Sequence, residues 1–223
     1  MSFTKLKIEK LTTADDLPSK LTAALCAGPS NGSRRNSMSP ELSYGRHAGP
    51  APYTARHAAV VLLLFRRNGK WHLPLTERPD TLTRHAGQIS LPGGVVDAGE
   101  SSAEAALREL DEELGFDAPV EVLGQLADCY VFASDFLVTP WVAAATPAFA
   151  PVWQPHDREV KDVVELPIEL LLDDRAIGKL TVERGPLVFR APCHQVGTTR
   201  VWGATSIILN ELAGLLRQLL ENY

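Results

Sequence analysis

The chain has few cysteines, and their spacing excludes the sites that cysteines usually build. Cys26, Cys129 and Cys193 lie far apart, and no two of them form a Cys-x-x-Cys pair. This pattern fits neither a zinc site nor a disulfide framework, and it is typical of proteins kept in a reducing cytosol.

Long hydrophobic runs are also missing. The longest strongly apolar run covers residues 58–65, whereas a helix needs roughly 20 apolar residues to span a bilayer. The opening sequence, MSFTKLKIEKL, has no apolar segment of the kind found in signal peptides. We therefore predict a cytoplasmic protein with no membrane partner.

Basic residues are not in excess. The chain carries 22 Lys and Arg against 27 Asp and Glu, which gives a formal net charge of −5. A protein that coats nucleic acid would show a basic field instead, so we expect no nucleic-acid partner. A local basic patch for an anionic small molecule stays compatible with this balance.

The bulk composition is that of a globular protein with a substantial core. The 223 residues are 45% hydrophobic and 22% charged, which suits one domain or one domain with an extension. Residues 28–50 are rich in Gly, Ser, Asn and Pro, a composition typical of a linker. We therefore divide the chain into an N-terminal extension and linker, residues 1–50, and a main domain, residues 51–223. Within the extension, residues 15–27 predict one amphipathic helix.

Apolar runs separated by turn signals predict an α/β fold. Residues 58–65 are short and apolar, as expected of a buried strand, and Asn68-Gly69 predicts a hairpin turn after it. Further strands are predicted at residues 71–76, 120–125, 129–132, 136–144, 160–165, 181–184 and 187–190. These elements predict a mixed β-sheet with helices on its faces, an α/β/α sandwich. A last helix, residues 205–221, packs on this sheet or on a second subunit, which leaves a homodimer open.

The most distinctive stretch covers residues 94–116, GVVDAGESSAEAALRELDEELGF. On a helix, Glu109, Glu112 and Glu113 stand at positions i, i+3 and i+4, so their carboxylates share one face. Like charges at these spacings repel, so a positive group is expected between them. A hydrated divalent metal is the simplest such group, and a surface acidic helix without metal is the alternative.

Capping residues mark both ends of this helix. Ser101 and Glu104 have the spacing of a capping box, and Gly115 suits a left-handed C-terminal cap. An apolar stripe lies next to the carboxylate face, which predicts that one side of the helix packs on the sheet while the neighbouring side faces a cleft.

Nine positions of this stretch resemble the signature of Nudix hydrolases, with both spacers matched. They are Gly94, Glu100, Arg108, Glu109, Leu110, Glu112, Glu113, Gly115 and Phe116. The resemblance implies cleavage, dependent on Mg²⁺ or Mn²⁺, of a diphosphate linked to another group. Mg²⁺ prefers carboxylate oxygens and keeps several waters, and a bound metal can neutralise a diphosphate and generate hydroxide.

The resemblance also implies roles for the acidic residues. Glu109, Glu112 and Glu113 are the implied metal ligands, and Glu109 is the general base in some relatives. A late-loop residue, Glu159, is either a further ligand or base, or a plain exposed acid.

The remaining positions of the signature are implied to hold the catalytic loop in place. Arg108 and Glu100 are expected to form an ion pair that fixes the loop on the helix. The carbonyl of Gly93 or Gly94 either contacts the metal or serves the turn alone.

A second resemblance concerns the segment before the signature. Residues 75–94, LTERPDTLTRHAGQISLPGG, are similar to the segment that precedes the signature in coenzyme A pyrophosphatases. The matching positions are Leu75, Thr76, Arg78, Leu82, Arg84, His85, Gly87, Gln88, Pro92, Gly93 and Gly94. Pro79, Leu91 and Asp135 depart from that pattern and put the fit of the pantetheine arm in question.

The second resemblance implies a substrate. Coenzyme A or an acyl derivative would be cut at its diphosphate to 3′,5′-ADP and 4′-phosphopantetheine or its acylated form. That anion needs cations, and Arg78, Arg84 and His85 could supply them, with Gln88 as a neutral partner and Gly94 at the catalytic loop.

Two other functions stay open at this point. The chain could hydrolyse another nucleoside diphosphate derivative, such as ADP-ribose, a dinucleotide or a nucleoside triphosphate. It could also be a non-catalytic ligand-binding Nudix domain, although such domains usually lose some of the acidic residues that are all present here.

Overall fold

The computed structural model describes residues 3–27, 37–41, 51–80, 87–146 and 151–221. Two helices come first, α1 (Phe3–Thr13) and α2 (Leu17–Cys26), and two more follow later, α3 (Ser102–Leu114) and α4 (Ala204–Glu221). None of the described helices is long and apolar enough to cross a membrane.

An eight-stranded mixed sheet forms the centre of the structure. Its strands are β1 (Arg56–Arg67), β2 (Lys70–Glu77), β3 (Ile89–Ser90), β4 (Gly93–Val95), β5 (Val120–Gln125), β6 (Cys129–Val131), β7 (Phe136–Ala145) and β8 (Asp162–Pro167). The main path runs β3-β2-β1-β7-β5, while β4 pairs with β1, β6 with β7 and β8 with β2. Strands β1 and β7 are parallel, and the other pairs are antiparallel.

Both faces of strand β1 are buried, which agrees with its continuous apolar sequence. Ala59, Val61 and Leu63 point towards α3, and the alternate residues Leu62 and Leu64 lie in the core shared with α4. A strand buried on both faces reads as a continuous apolar run rather than an alternation. The predicted hairpin turn follows it, with Asn68 at φ 52° and Gly69 at φ 78°.

A second, smaller sheet was only partly predicted. It contains β9 (Ile177–Arg184), β10 (Leu187–Val196) and β11 (Thr199–Trp202), paired antiparallel in the order β11-β10-β9. The hairpin between β9 and β10 was expected, but β11 was not, and both predicted strands were too short. The predicted helix at the end of the chain is confirmed as α4. Its residues Ile208 and Leu212 are buried in the same core as the sheet, so the chain itself covers its apolar face.

The N-terminal helices share the core of the main sheet. Leu11, Leu17 and Leu21 are fully buried in the cluster that contains β1. Arg66 donates to the Thr13 carbonyl (3.0 Å), and its guanidinium lies 4.3 Å from the Trp71 ring centroid. The sequence predicted one helix here, and α1 was missed because its apolar pattern is weak.

The division of the chain near residue 50 stays a prediction. Most of the predicted linker, residues 28–50, lies outside the described residues, of which only 37–41 fall within it.

Replacement of Leu21 by Ala tests whether α2 belongs to the core. We expect Leu21→Ala to lower the free energy of unfolding by about 2–5 kcal/mol, because a fully buried leucine leaves a cavity. Leu6 is 43% exposed, so Leu6→Ala is the control and should change that energy by less than about 0.5 kcal/mol. Urea unfolding measures both, and equal effects would contradict the docking of α2.

Candidate active site

Two glycines bring strand β4 against the carboxylate helix. Gly93 and Gly94 pair with Val60 and Ala59 of β1, in the middle of the sheet. A Cβ atom at Gly93 would overlap the Ala59 carbonyl, and one at Gly94 would overlap the Glu109 carboxylate. The close approach of strand and helix therefore requires glycine at both positions.

Capping interactions define both ends of helix α3. The Ser101 side chain accepts from the backbone N–H of Glu104 (3.2 Å), and the Glu104 carboxylate accepts from the backbone N–H of Ser101 (2.7 Å). Gly115 ends the helix at φ 60°, where a side chain would collide with Gln154. The predicted capping box and C-cap are confirmed.

Arg108 is the positive group that the acidic face contains. Its guanidinium donates to Glu100 through Nε (3.2 Å) and Nη2 (2.9 Å), and through Nη1 to Glu109 (3.0 Å) and Glu112 (2.9 Å). The arginine bond holds the pKa of the Glu100 carboxyl below its usual value. The contact between Arg108 and Glu100 is the one expected from the sequence. At Glu109 and Glu112 this arginine supplies one positive charge of the kind that the repulsion argument requires, and the metal site stays a prediction.

Glu113 differs from the other acids of the helix because it is buried. Only 6% of the residue is exposed, and among the described residues its carboxylate accepts one hydrogen bond, from the backbone N–H of Gly93 (3.2 Å). Burial raises the pKa of this carboxyl to about 8, the Gly93 bond opposes the shift, and the charges of Glu109 and Glu159 add to it. Removal from water is the dominant cause, since it penalises the charged form.

Glu109 lies beside it in a partly buried position. Burial raises the pKa of Glu109, the Arg108 bond and charge lower it, and the charges of Glu112 and Glu159 raise it further. Glu109, Glu113 and Glu159 are thus close enough to repel one another. The structure brings Glu159 to the acids of α3, although the sequence had left it as an uncertain candidate.

The loop that carries Glu159 is tied to the end of α3. The backbone N–H groups of Gln154 and His156 donate to the carbonyls of Leu114 (2.8 Å) and Glu113 (3.0 Å). Trp153 donates through Nε1 to Glu165 on β8 (2.7 Å). No local pattern in the sequence predicts the two contacts with α3, because they join segments about 40 residues apart along the chain.

Arg78 is a described cation of the predicted substrate-binding group, and its charge acts on an acid of α3. Its charge lowers the pKa of Glu113, and its buried Nε atom has no hydrogen-bond partner among the described residues. The backbone of Arg78 is bonded to Gln88 and Gly87, so Gln88 lies beside it. Arg84 and His85 lie outside the described residues.

The donor chemistry of the acidic group fits a hard divalent cation. Within the described ranges, no three His, Cys, Asp or Glu side chains are already arranged around one metal position. Glu113 and Glu109 nevertheless offer carboxylate oxygens, the ligands that Mg²⁺ and Mn²⁺ prefer. Burial raises the pKa of both carboxyl groups, so a nearby cation would stabilise their charged forms. Glu112 is more exposed and is held by Arg108.

Comparison with known proteins identifies the family. The NUDIX domain model matches residues 55–184. The chain is 37% identical over 160 residues, 71% of this chain and 83% of the relative, to "Uncharacterized Nudix hydrolase NudL" of Photorhabdus laumondii. It is 35% identical over 167 residues, 74% of this chain and 84% of the relative, to the protein of the same name from Yersinia enterocolitica. The chain belongs to the Nudix hydrolase family.

Among solved structures, the chain is similar to the MutT protein from Methanosarcina mazei Go1, with a TM-score of 0.48 and 19% identity over 75% of this chain and 99% of that one. The predicted Nudix fold, a mixed sheet with helices on its faces, is confirmed. The protein is therefore a pyrophosphohydrolase of a family that generally uses divalent metal ions.

The raised pKa of Glu113 predicts a pH-dependent stability in the absence of metal. The folded chain keeps this proton up to about pH 8, whereas the unfolded chain loses it near the ordinary glutamate pKa of 4.5. Between these values the wild type loses stability as the pH rises, by about 1.4 kcal/mol per pH unit from this group. The Glu113→Gln variant lacks this loss, so it becomes more stable relative to the wild type as the pH rises.

Urea unfolding in the presence of a chelator, repeated across this pH window, measures the difference between the two proteins. Parallel stability curves for wild type and variant would contradict the buried protonated state of Glu113.

Proposed function

We propose that this Nudix hydrolase cleaves the diphosphate of coenzyme A or acyl-coenzyme A, giving 3′,5′-ADP and 4′-phosphopantetheine or its acylated form. The observation that carries the proposal is the segment 75–94, which is similar to the corresponding segment of coenzyme A pyrophosphatases. Arg78 of that segment lies near the acidic group, with a buried Nε atom that has no partner among the described residues.

The acidic side chains would hold Mg²⁺ or Mn²⁺, with Glu109 and Glu113 as the main ligands and Glu112 as a further one. The bound ion would neutralise the diphosphate and make a coordinated water acidic enough to attack. Burial of Glu113 supports this assignment, because a carboxylate placed next to a divalent cation regains the charge that desolvation removes.

The neighbouring residues have positioning roles in this proposal. Arg108 joins Glu100 of the loop to Glu109 of the helix, which fixes the loop over the acids. Gly94 leaves room for the Glu109 carboxylate, and the Gly93 N–H orients that of Glu113. Each of these contacts sets where a ligand oxygen lies before substrate enters.

Substrate binding is assigned to the cations before the catalytic loop. Arg78 would pair with a phosphate oxygen, since its planar guanidinium matches phosphate geometry. Arg84, His85 and Gln88 complete the group as predicted from the sequence, because coenzyme A carries three phosphate groups that need partners.

The general base is assigned to a group of carboxylates rather than to one residue. The charge of Glu159 raises the pKa of both Glu109 and Glu113, and the charge of Glu109 raises that of Glu113, so these three carboxylates form one interacting set. Within this set Glu109 and Glu159 are the candidates to accept the proton of the attacking water, since Glu113 is the most buried.

A second candidate is hydrolysis of another nucleoside diphosphate derivative, such as ADP-ribose or a dinucleotide. The acids of α3 are compatible with this second candidate, because they would serve metal-dependent cleavage of any diphosphate. They do not distinguish between the groups that the diphosphate joins. The partner in either case is a small molecule, and a non-catalytic role fits less well with a complete set of acids.

A hydrolysis panel separates these functions. Purified protein with Mg²⁺ or Mn²⁺ is incubated with coenzyme A, acyl-coenzyme A, ADP-ribose and NADH, and the products are identified by mass spectrometry. We expect 3′,5′-ADP from the first two. If the enzyme cleaves neither coenzyme A nor acyl-coenzyme A but cleaves ADP-ribose or NADH, the proposed substrate is wrong and the second candidate function is supported.

The role of the buried acid is tested in the same assay. We expect Glu113→Gln to lower kcat by on the order of 10²–10³-fold, because one preorganised electrostatic contact is lost. Glu121 is an exposed acid of β5, so Glu121→Gln is the control and should keep the wild-type rate. A fully active Glu113→Gln enzyme would rule out metal binding by this residue.

A further inference from the structure

Three side chains, Arg67, Glu165 and Trp153, are bonded together beside the loop that carries Glu159. Arg67 donates to the Glu165 carboxylate through Nε (3.0 Å) and Nη2 (2.6 Å), which makes a bidentate ion pair. Trp153 donates through Nε1 to the same carboxylate (2.7 Å). The Arg67 and Glu165 side chains are 32% and 25% exposed, so water screens this pair less than one on the open surface. We call the three residues the Glu165 triad.

The Glu165 triad joins the main sheet to the loop before β8, residues 151–161. Arg67 is the last residue of β1 and Glu165 lies on β8, so strand pairing fixes the backbone of both. Arg67 also donates through Nη2 to the Pro151 carbonyl (2.9 Å). Hydrogen bonds therefore run from the sheet to the loop at Pro151 and at Trp153.

The indole ring of Trp153 also packs between the sheet and the end of α3. Its centroid lies 5.1 Å from that of Phe65 on β1, edge to face at 83°, and 5.7 Å from that of Phe116, which follows α3. Packing against two rings and a hydrogen bond at Nε1 together fix the orientation of an indole. Trp153 is therefore the residue at which the loop is held both by packing and by a directed hydrogen bond.

Beyond Trp153 the loop is bonded to α3 and to itself as far as Glu159. The backbone N–H groups of Gln154 and His156 donate to carbonyls at the end of α3. The His156 carbonyl in turn accepts from the N–H groups of Glu159 and Val160 (2.9 Å each), and Val160 is buried in the core cluster of α3. A continuous series of contacts therefore leads from Trp153 to Glu159.

The Glu159 side chain depends on this backbone for its position. It is exposed, and within the described part of the chain its carboxylate makes no hydrogen bond or ion pair that would hold it in place. Its charge nevertheless raises the pKa of Glu109 and of Glu113, so the carboxylate lies within electrostatic reach of both acids.

We propose that the Glu165 triad is a set of positioning residues, which holds the loop before β8 so that Glu159 faces the acids of α3. The proposal rests on the proposed function in one respect, that Glu159 serves the metal-dependent hydrolysis. Because the triad acts through Glu159, its loss affects cation binding and the chemical step and leaves substrate binding intact.

The variant Trp153→Phe removes the indole N–H and keeps an aromatic ring between Phe65 and Phe116. We expect kcat for the cleaved substrate to fall about tenfold with KM changed less than about twofold, because a misplaced general base slows proton transfer without weakening ground-state binding. Amide hydrogen exchange of residues 151–160, measured by mass spectrometry in the metal-free protein, should become faster because the loop loses a hydrogen bond to the sheet.

Arg67→Lys tests the triad at its other end. This variant keeps the positive charge but loses the planar fork that reaches Glu165 and the Pro151 carbonyl together. We expect kcat and amide exchange to change in the same direction as in Trp153→Phe. Wild-type kcat and wild-type exchange in both variants would overturn the proposal.

Trp141→Phe is the matched control. Trp141 donates through Nε1 to the Ser102 hydroxyl of α3 (3.2 Å) and packs against the same core cluster as Trp153. Its substitution also removes an indole hydrogen bond, but that bond leads to α3 instead of the loop, so kcat and the exchange of residues 151–160 should stay at their wild-type values. An equal change in both tryptophan variants would mean a general effect of a lost core hydrogen bond and would overturn the proposal.

A double-mutant cycle with Glu159→Gln tests whether the triad acts through Glu159. The probe is Mn²⁺ alone, with binding measured by titration calorimetry for the wild type, both single variants and the double variant. We expect Glu159→Gln to weaken binding about fivefold, because one negative charge near the cation is lost. Trp153→Phe should weaken it about threefold in the wild-type background and have no further effect once Glu159 is absent. An undiminished effect in the Glu159→Gln background, or wild-type affinity in Glu159→Gln itself, would overturn the proposal.

The Mn²⁺ readout distinguishes this proposal from the proposed function. If the wild type cuts no substrate of the panel while Mn²⁺ binding still depends on Trp153 through Glu159, the substrate assignment fails and the positioning role holds. If the wild type does not bind Mn²⁺, the acids of α3 hold no metal, and the positioning role fails together with the proposed mechanism.

Discussion

Burial of the Glu113 carboxylate is the constraint on which the rest of the site depends. The residue is 6% exposed, and burial raises its pKa to about 8. Such a position costs free energy unless the charged form gains a partner. The two glycines of β4, the capped register of α3 and the loop bonded to the Glu113 carbonyl all converge on this carboxylate. We interpret the arrangement as a cation site between the main sheet and helix α3.

Two basic side chains, Arg108 and Lys161, form ion pairs with the acids that lie around the candidate site. Arg108 binds the outer acids Glu109 and Glu112 and the loop residue Glu100. Lys161 binds the acids next to Arg78. These two cations thus compensate the outer acids, while the inner carboxylate of Glu113 is influenced by the charge of Arg78 and, in our proposal, binds the metal.

Local patterns predicted the parts of the structure that local interactions determine. Strand β1 follows from its apolar run, and α3 follows from Ser101, Glu104 and Gly115, because a strand's burial and a helix's caps leave marks in neighbouring residues. Helix α1 was missed because its apolar pattern is weak, and strand β11 was missed because it is only four residues long and pairs with β10 across a short turn. The spacing of the three acids also could not show that Glu113 alone is deeply buried, because positions i, i+3 and i+4 look equivalent until the sheet is placed. The contact of the loop at Glu159 with the end of α3 is likewise tertiary.

The most direct test of this account is calorimetric titration of the metal-free protein with Mn²⁺ in buffers of different ionisation enthalpy. At about pH 7 the Glu113 carboxyl is protonated in the absence of metal, so metal binding should release about one proton. The account predicts this release in the wild type and its loss, together with weaker binding, in Glu113→Gln. Binding of Mn²⁺ without proton release, or with equal affinity in the variant, would contradict it.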